Sequence, residues 1–283
     1  MKSAVSRDDC VEPTTRAVAL VVAVAVFLGF GVLYVYTERI PELWAWPVKP
    51  PTTALLMGSG YLAGCYFFVR VLFARRWHEV SLGFVPVTVF ASAMLVATLL
   101  HWDRFQHAHI TFRLWLVLYA AAPLLVPVVW WLNQRRDPGR DAGAPLLPRA
   151  LRIAMIAASG AQLLFVLWMF VRPETVIPWW PWKITPLTAR VVASFYSLLA
   201  VIAVTVAIDG RLSSARIPLH SALVGLVLML VALPRIRADV NPANPLALAS
   251  AAGLLLLVGG LAALLVWIDR RLRRAAPPLA ATA

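Results

Sequence analysis

The chain has 283 residues, of which 61% are hydrophobic and only 14% are charged, and its formal net charge is +13. Water-soluble domains carry about 25% charged residues, so this composition excludes a soluble globular protein. It also argues against nucleic-acid binding. The basic residues lie in short segments between apolar stretches, where positive charge meets anionic lipid headgroups.

Eight apolar stretches follow one another along the chain, and each is about long enough to cross a bilayer as a helix. They are Ala17–Tyr36, Thr53–Phe73, Val80–Leu100, Thr111–Leu132, Ala150–Val171, Thr188–Ile208, Pro218–Leu233 and Pro245–Ile268. Polar residues follow the first stretch instead of a small-residue cleavage site, so we interpret it as a retained signal-anchor helix. The sequence predicts an all-α integral membrane protein of about eight transmembrane helices, the seventh being short.

Proline and glycine shape the predicted helices. Pro86, Pro123 and Pro127 fall inside the third and fourth stretches, where they predict kinks. Gly60 and Gly64 form a GxxxG pattern in the second stretch, which is typical of closely packed membrane helices. The sixth stretch lacks this pattern, so we expect close packing in the first half of the chain only.

The distribution of lysine and arginine predicts the orientation. These residues lie mainly in the two tails and in the second, fourth and sixth loops, and positive charge is retained on the cytoplasmic side. Both termini are therefore expected in the cytoplasm, with anionic headgroups there as lipid partners. Cys10 and Cys65 fall in different environments and form no CxxC pattern, so we expect no disulfide and no cysteine-based metal site.

An internal repeat is the most informative feature of the sequence. The residues from Trp44 read WAWPVKPPTTALLMGSGY, and those from Trp179 read WWPWKITPLTARVVASFY. At an offset of 135 residues the identical pairs are Trp44/Trp179, Pro51/Pro186, Thr53/Thr188, Ala54/Ala189, Ser59/Ser194 and Tyr61/Tyr196. We infer two four-helix repeats, 1–141 and 142–283. An even number of spans in each gives both the same orientation, as in parallel-repeat transporters.

The second copy of the repeat carries the pattern W-P-W-K-I-T-P-L-T-A-R from Trp180 to Arg190. This pattern resembles a motif, W-P-W-x-[LI]-T-P-L-T-A-R, of multi-pass membrane proteins of high-GC bacteria. The resemblance covers this loop and the start of the sixth stretch. It implies a bacterial plasma-membrane protein and carries no implication for chemistry.

The repeated motif supplies the first candidate site. Each copy starts a helix at the outer face, where the positive end of the helix dipole and nearby cations favour an anionic group. The candidate ligand-binding residues are Lys49, Thr53, Tyr61, Lys183, Thr188, Arg190 and Tyr196. The alternative is that these residues cap helices, anchor them at the interface and pack the two halves together.

The third loop supplies the second candidate site. His101, Asp103, His107 and His109 lie within nine residues, and imidazole with carboxylate can bind zinc or copper. The spacing matches no recognised metal motif, and the other half of the chain has no counterpart. A solvated interfacial loop is the alternative. No cofactor motif is present elsewhere in the sequence.

Three classes of function stay open at this level. A transporter-like protein that binds or moves a small or lipidic ligand fits the repeat and the outer cations. The lack of acidic residues in mid-span argues against ion-coupled pumping. A non-catalytic structural or assembly subunit, with a protein partner that the sequence does not identify, fits the apolar spans. An enzyme acting on lipid-linked substrates would use His101, Asp103 and Arg104.

Overall fold

The structure is a computed structural model that describes residues 8–139 and 144–275. Its long helices are α1 (Pro13–Phe30, continued by the π-helical turn Gly31–Val35), α2 (Pro51–Phe73), α3 (Phe84–Leu100), α4 (Ile110–Gln134), α5 (Arg149–Val171), α6 (Pro186–Asp209), α7 (Leu212–Ile236) and α8 (Pro245–Ala275). Within the described ranges, eight helices are long and apolar enough to cross a membrane. The prediction of eight spanning helices is confirmed. The predicted repeat boundary at 141/142 lies outside the described residues.

Several helix ends follow directly from local sequence. Helices α1, α2, α6 and α8 each begin with proline, which has no backbone N–H to leave unpaired in the first turn. The Thr185 side chain accepts a hydrogen bond from the Thr188 N–H and caps α6. The same helix ends at Gly210, whose φ of 76° lies in the left-handed region that glycine adopts without strain.

Two sequence predictions on helix shape are wrong. The seventh helix is not short: it runs over 25 residues, Leu212–Ile236, and carries Pro218 inside it instead of beginning there. A proline within a membrane helix is tolerated when neighbouring groups satisfy the freed backbone. Pro86 lies in the first turn of α3, where it removes no internal hydrogen bond, so it is not a kink position.

The helices pack as two rows. In the first row α1 packs on α2, α2 on α7, and α7 on α8; in the second row α5 packs on α6, α6 on α3, and α3 on α4. Each row mixes helices from both halves of the chain. The halves therefore interlock and do not form two separate four-helix bundles.

Burial separates central helices from peripheral ones. The most apolar windows of α2 and α6 are 56% and 61% buried, whereas that of α8 is 11% buried. The two helices that follow the repeated motif therefore form the centre of the molecule. The loops from which they start form what we call the tryptophan end, which includes Trp44, Trp46 and Trp182.

The opposite, or tail, end is closed by the N-terminal segment. Asn133, which is 1% exposed, accepts a hydrogen bond from the Glu12 N–H at 3.0 Å and donates to Thr15 Oγ1 and to the Val129 carbonyl. Glu12 also pairs with Arg136. These bonds attach the N-terminal segment to the end of α4. Both cysteines, one exposed and one half-buried, are free thiols.

Candidate functional site

Helices α2 and α6 meet at Gly60 and Phe195, near the centre of the molecule. A Cβ built on Gly60 would lie 2.4 Å from Cδ1 of the Phe195 ring. That ring packs edge-on against Tyr61 and Phe90, with centroid separations of 5.5 and 4.8 Å. No described atom lies within 4 Å of a Cβ built on Gly64. Of the predicted GxxxG pair, only the first glycine therefore serves close packing.

A cavity of about 790 Å³ extends beside this crossing, between the two rows of helices. Its walls are mainly apolar side chains of α2, α3, α6, α7 and α8. It reaches from Trp182 and Arg237 at the tryptophan end to Pro218 in the tail half of α7. Along α2 its lining extends from Leu56 to Phe68, which is about 18 Å at 1.5 Å per residue.

Few polar groups line this cavity. Gln162 donates from Nε2 to the Tyr196 carbonyl at 3.1 Å. Ser59 and Ser221 donate to the carbonyls of Leu55 and Ala63. The Tyr196 hydroxyl makes no hydrogen bond with any described residue. The polar groups that stay available to an occupant therefore include the hydroxyls of Tyr196 and Ser250, the Gln162 carbonyl oxygen and the Arg237 guanidinium.

The two tyrosines of the predicted site both line the cavity, but they differ in environment. Tyr61 is 4% exposed, and its hydroxyl shares a 2.9 Å hydrogen bond with the Tyr119 hydroxyl. Tyr196 is half-buried and packs against Trp180 at 6.1 Å between ring centroids. Of these two tyrosines, only Tyr196 presents a free hydroxyl to the cavity.

The two lysines of the predicted site line one groove at the tryptophan end. Lys49 and Lys183 are both exposed and belong to a groove of about 500 Å³ that also includes Glu38 and Thr185. The groove lies between the first and fifth loops. It is a separate space from the cavity, so the seven predicted residues do not form one continuous site.

The two threonines have structural partners. Thr53 Oγ1 accepts a 3.0 Å hydrogen bond from Trp182 Nε1, which ties the start of α2 to the fifth loop. The Thr188 hydroxyl shares a 3.0 Å hydrogen bond with the Thr185 hydroxyl at the start of α6. Both threonines are buried. Their contacts match the capping and packing alternative that the sequence left open.

Arg190 joins the two candidate regions. Its guanidinium Nη1 donates to His101 Nε2 at 2.7 Å, while its Nε is buried without a partner in the described part of the chain. Partial burial, together with the positive charge of Arg190, lowers the pKa of His101 below its ordinary value. A lowered pKa favours the neutral imidazole, in which Nε2 can accept the hydrogen bond from the arginine.

The remaining residues of the third loop point to different partners. His107 stacks on Trp102, with ring centroids 5.0 Å apart. His109 accepts a hydrogen bond from the Thr111 N–H and so caps α4. Asp103 is exposed and pairs with Arg104 at 3.2 Å. Among residues 8–139 and 144–275, no three histidine, cysteine or acidic side chains converge as a metal site would require.

Sequence reasoning missed Gln162, Arg237 and the small residues of α8 that line the cavity. Gln162 is a single amide in an apolar helix, a pattern that marks polar function inside a membrane. The residues of α8 give no signal alone. Their importance emerges when the fourth and eighth helices are compared at the repeat offset.

Comparisons of the chain with protein-family models, curated proteins and solved structures found no match.

Proposed function

We propose that the chain consists of two parallel four-helix repeats, 1–141 and 142–283, and binds or moves a lipidic ligand in the space between its helices, in the manner of a transporter. The neighbour relations of the helices support the repeat. The repeat makes α1 the counterpart of α5, α2 of α6, α3 of α7 and α4 of α8. Exchanging each helix with its counterpart converts the first row, α1–α2–α7–α8, into the second row, α5–α6–α3–α4. This is the relation expected of an approximate twofold axis along the membrane normal.

Matching hydrogen bonds in the loops also support the repeat. The Gln106 N–H donates to the Ala45 carbonyl at 2.9 Å, and the Asn241 N–H donates to the Pro181 carbonyl at 3.2 Å. Gln106 and Asn241 are separated by the repeat offset of 135 residues. In both halves, therefore, the loop before the last helix is attached to the tryptophan-rich loop in the same way.

The caps of α4 and α8 repeat in the same manner. His109 accepts from the Thr111 N–H, and Asn244 Oδ1 accepts from the Leu246 N–H at 2.9 Å. Asn244 lies 135 positions after His109, and Leu246 lies 135 positions after Thr111. A histidine that corresponds to a capping asparagine supports a structural role for His109.

The ring contacts support a small revision of the sequence alignment. Trp44 packs on Tyr61, and Trp180 packs on Tyr196, with 6.1 Å between ring centroids in both pairs. Trp179, the alignment partner of Trp44 at the offset of 135, lies on the surface. The counterpart of Trp44 is therefore Trp180, with one extra residue in the first loop.

The central cavity carries the functional proposal. Its volume falls in the range of about 300–1,000 Å³ typical of ligand sites, and its mainly apolar lining suits hydrocarbon. Its end beside Arg237, with Lys49 and Lys183 on the same face, suits an anionic group. The expected location is a bacterial plasma membrane with both termini cytoplasmic, which places the tryptophan end outside.

Native mass spectrometry of the protein purified in mild detergent tests the binding role. We expect a reproducibly bound lipid or solute. Its retention should fall in the Lys49→Ala/Lys183→Ala variant if the groove holds the anionic group. The matched control is Arg104→Ala, an exposed cation at the same end whose side chain is 70% exposed. A wild-type protein with nothing bound after mild extraction would overturn the binding role.

A structural or assembly subunit is the second candidate, and the weak packing of α8 favours it. Leu256 on this helix is 76% exposed, so its side chain faces either lipid or a partner. A photo-crosslinking amino acid at position 256 should form only lipid adducts if the chain works alone. One discrete protein adduct of constant mass would favour the assembly role.

Cysteine labelling tests the orientation. Trp46 and Trp182 are buried, so Lys49→Cys and Lys183→Cys are the better outer positions, in a background with both natural cysteines replaced by serine. These variants should react with a membrane-impermeant maleimide in intact cells. Arg75→Cys, exposed in the second loop, should react only after the membrane is opened. The reverse pattern would invert the orientation.

A further inference from the structure

The central cavity has a specific origin, which lies in a difference between the fourth helix of each half. We propose that α8 has lost the bulky side chains of α4, and that the space left is a site for one hydrocarbon chain of an anionic lipid whose headgroup is bound by Arg237. This proposal rests on the ligand-binding role proposed above and names the class of ligand.

The first half shows how the equivalent space is filled. Trp115 is 5% exposed and packs on Trp44 and Trp46, with ring centroids 5.7 and 4.9 Å apart. Its Nε1 donates to Thr98 at 3.0 Å. Tyr119, 3% exposed, lies 4.4 Å from the Trp115 ring. Together these aromatic rings fill the space between α4 and the first tryptophan-rich loop.

The second half has smaller residues at the corresponding positions of α8. At the repeat offset of 135, the pairs are Phe112/Ala247, Trp115/Ser250, Leu116/Ala251, Leu118/Gly253 and Tyr119/Leu254. All five α8 residues line the cavity. The reduction in side-chain volume explains why the cavity extends along α8, whereas on the α4 side it is bordered by the larger Leu118 and Tyr119.

The polar groups show the same asymmetry. Tyr61 has a hydroxyl partner in Tyr119, but the counterpart of Tyr119 is Leu254, which offers none to Tyr196. The loss of the aromatic side chain thus leaves a free hydroxyl on the cavity wall. A lipid ester group can accept a hydrogen bond from it, whereas an empty apolar space leaves it unpaired.

The charge at the tryptophan end selects an anionic lipid. Arg237 is exposed, lines the cavity and forms no ion pair with any residue of the described ranges. Its guanidinium can bind a phosphate in two-pronged geometry. The cavity length of about 18 Å is close to half of the roughly 30 Å hydrocarbon thickness of a bilayer. This length matches a chain that enters from one leaflet with its phosphate at the surface.

The experiment measures retained lipid by native mass spectrometry, using dioleoyl phosphatidylglycerol and dioleoyl phosphatidylcholine as probes with identical chains. Ser250→Trp combined with Gly253→Leu restores first-half residues and should reduce retention of both lipids. The expected loss is about tenfold or more, because expelling about two methylenes already removes that much binding free energy. The control is Ala252→Trp, an exposed position of α8 outside the cavity lining, which should retain both lipids.

Arg237→Gln tests the headgroup separately and leaves the cavity walls intact. This substitution should reduce the preference for phosphatidylglycerol over phosphatidylcholine by about fivefold, which is the contribution of one basic side chain to binding near anionic lipid. Unchanged retention in the refilled variant, which must elute and melt like the wild type, would overturn the cavity as the chain site. An unchanged headgroup preference would overturn the role of Arg237. A wild type that retains neither probe nor any native ligand refutes the binding function as a whole.

Discussion

The crossing of α2 and α6 leads to a prediction that compares two glycines one helical turn apart. Gly60→Ala places a methyl group 2.4 Å from the Phe195 ring, whereas Gly64→Ala places it where no described atom lies within 4 Å. Both changes add the same helix propensity, about 1 kcal/mol relative to glycine in soluble helices. The difference in stability between the variants therefore reports the contact with Phe195.

The magnitude follows from what the Phe195 ring must give up. It is 7% exposed and packs against Tyr61 and Phe90, so moving it away weakens two aromatic pairs of about 0.5–1.5 kcal/mol each. The expected penalty is about 1–3 kcal/mol, the usual range for overpacking a core. At roughly 2–4 °C per kcal/mol, Gly60→Ala should melt several degrees below Gly64→Ala.

The assay is thermal unfolding in detergent, followed by tryptophan fluorescence and by loss of the monodisperse size-exclusion peak. Replacing Phe195 with leucine in the Gly60→Ala background should recover part of the loss, because the smaller side chain makes room for the new methyl. Equal melting temperatures for Gly60→Ala and Gly64→Ala would refute the crossing of α2 and α6 at Gly60.

Three further predictions concern polar contacts. Thr53→Val should destabilise the folded protein by about 1–3 kcal/mol because Trp182 Nε1 loses its acceptor inside the protein. The double variant Thr53→Val/Trp182→Phe should lose less stability, measured as melting temperature, than the sum of the losses in the two single variants. Asn133→Ala should cost a similar amount and increase proteolysis near Glu12, whose N–H loses its partner. An Asn133→Ala protein with unchanged cleavage would contradict that attachment. The pKa of His101 is lowered in the folded protein, so the stability that the neutral imidazole contributes is complete above the pKa of the unfolded chain and declines as the pH falls below that value. His101→Gln should remove this part of the acid dependence when melting temperature is measured against pH. A variant with the same acid profile as the wild type would contradict the prediction.

The number and placement of the helices were within reach of sequence alone. Hydrocarbon offers no hydrogen-bond partner to the backbone, so each apolar stretch of sufficient length must form a helix. The starts of α2 and α6 were equally predictable, since Pro51 and Pro186 mark helix N-termini by local stereochemistry. The similarity of the two segments was visible because Pro51 and Pro186 start helices and Tyr61 and Tyr196 make aromatic contacts, roles that require specific side chains.

The residues of the site were only partly predictable. The sequence identified Tyr196 and Lys183 from the two similar segments, and these residues line the cavity and the groove at the tryptophan end. It also grouped Thr53 with them, although the threonine is occupied by Trp182. Local sequence shows which residue types occur at a helix start, but not whether another loop has already taken their hydrogen bonds.

Tertiary structure alone decided how the halves combine and where space remains. The pairing of α2 with α7 and of α6 with α3 depends on which surfaces fit, and long apolar helices of similar composition give no sequence signal for their neighbours. The cavity arises from the same cause. Ser250 and Gly253 are ordinary residues of a membrane helix, and they create space only because α5, α6 and α7 do not move in to fill it. By itself the sequence determined a chain of eight apolar helices, two of which start with similar residues; packing determined that aromatic rings fill the space beside α4 whereas a cavity lies beside α8.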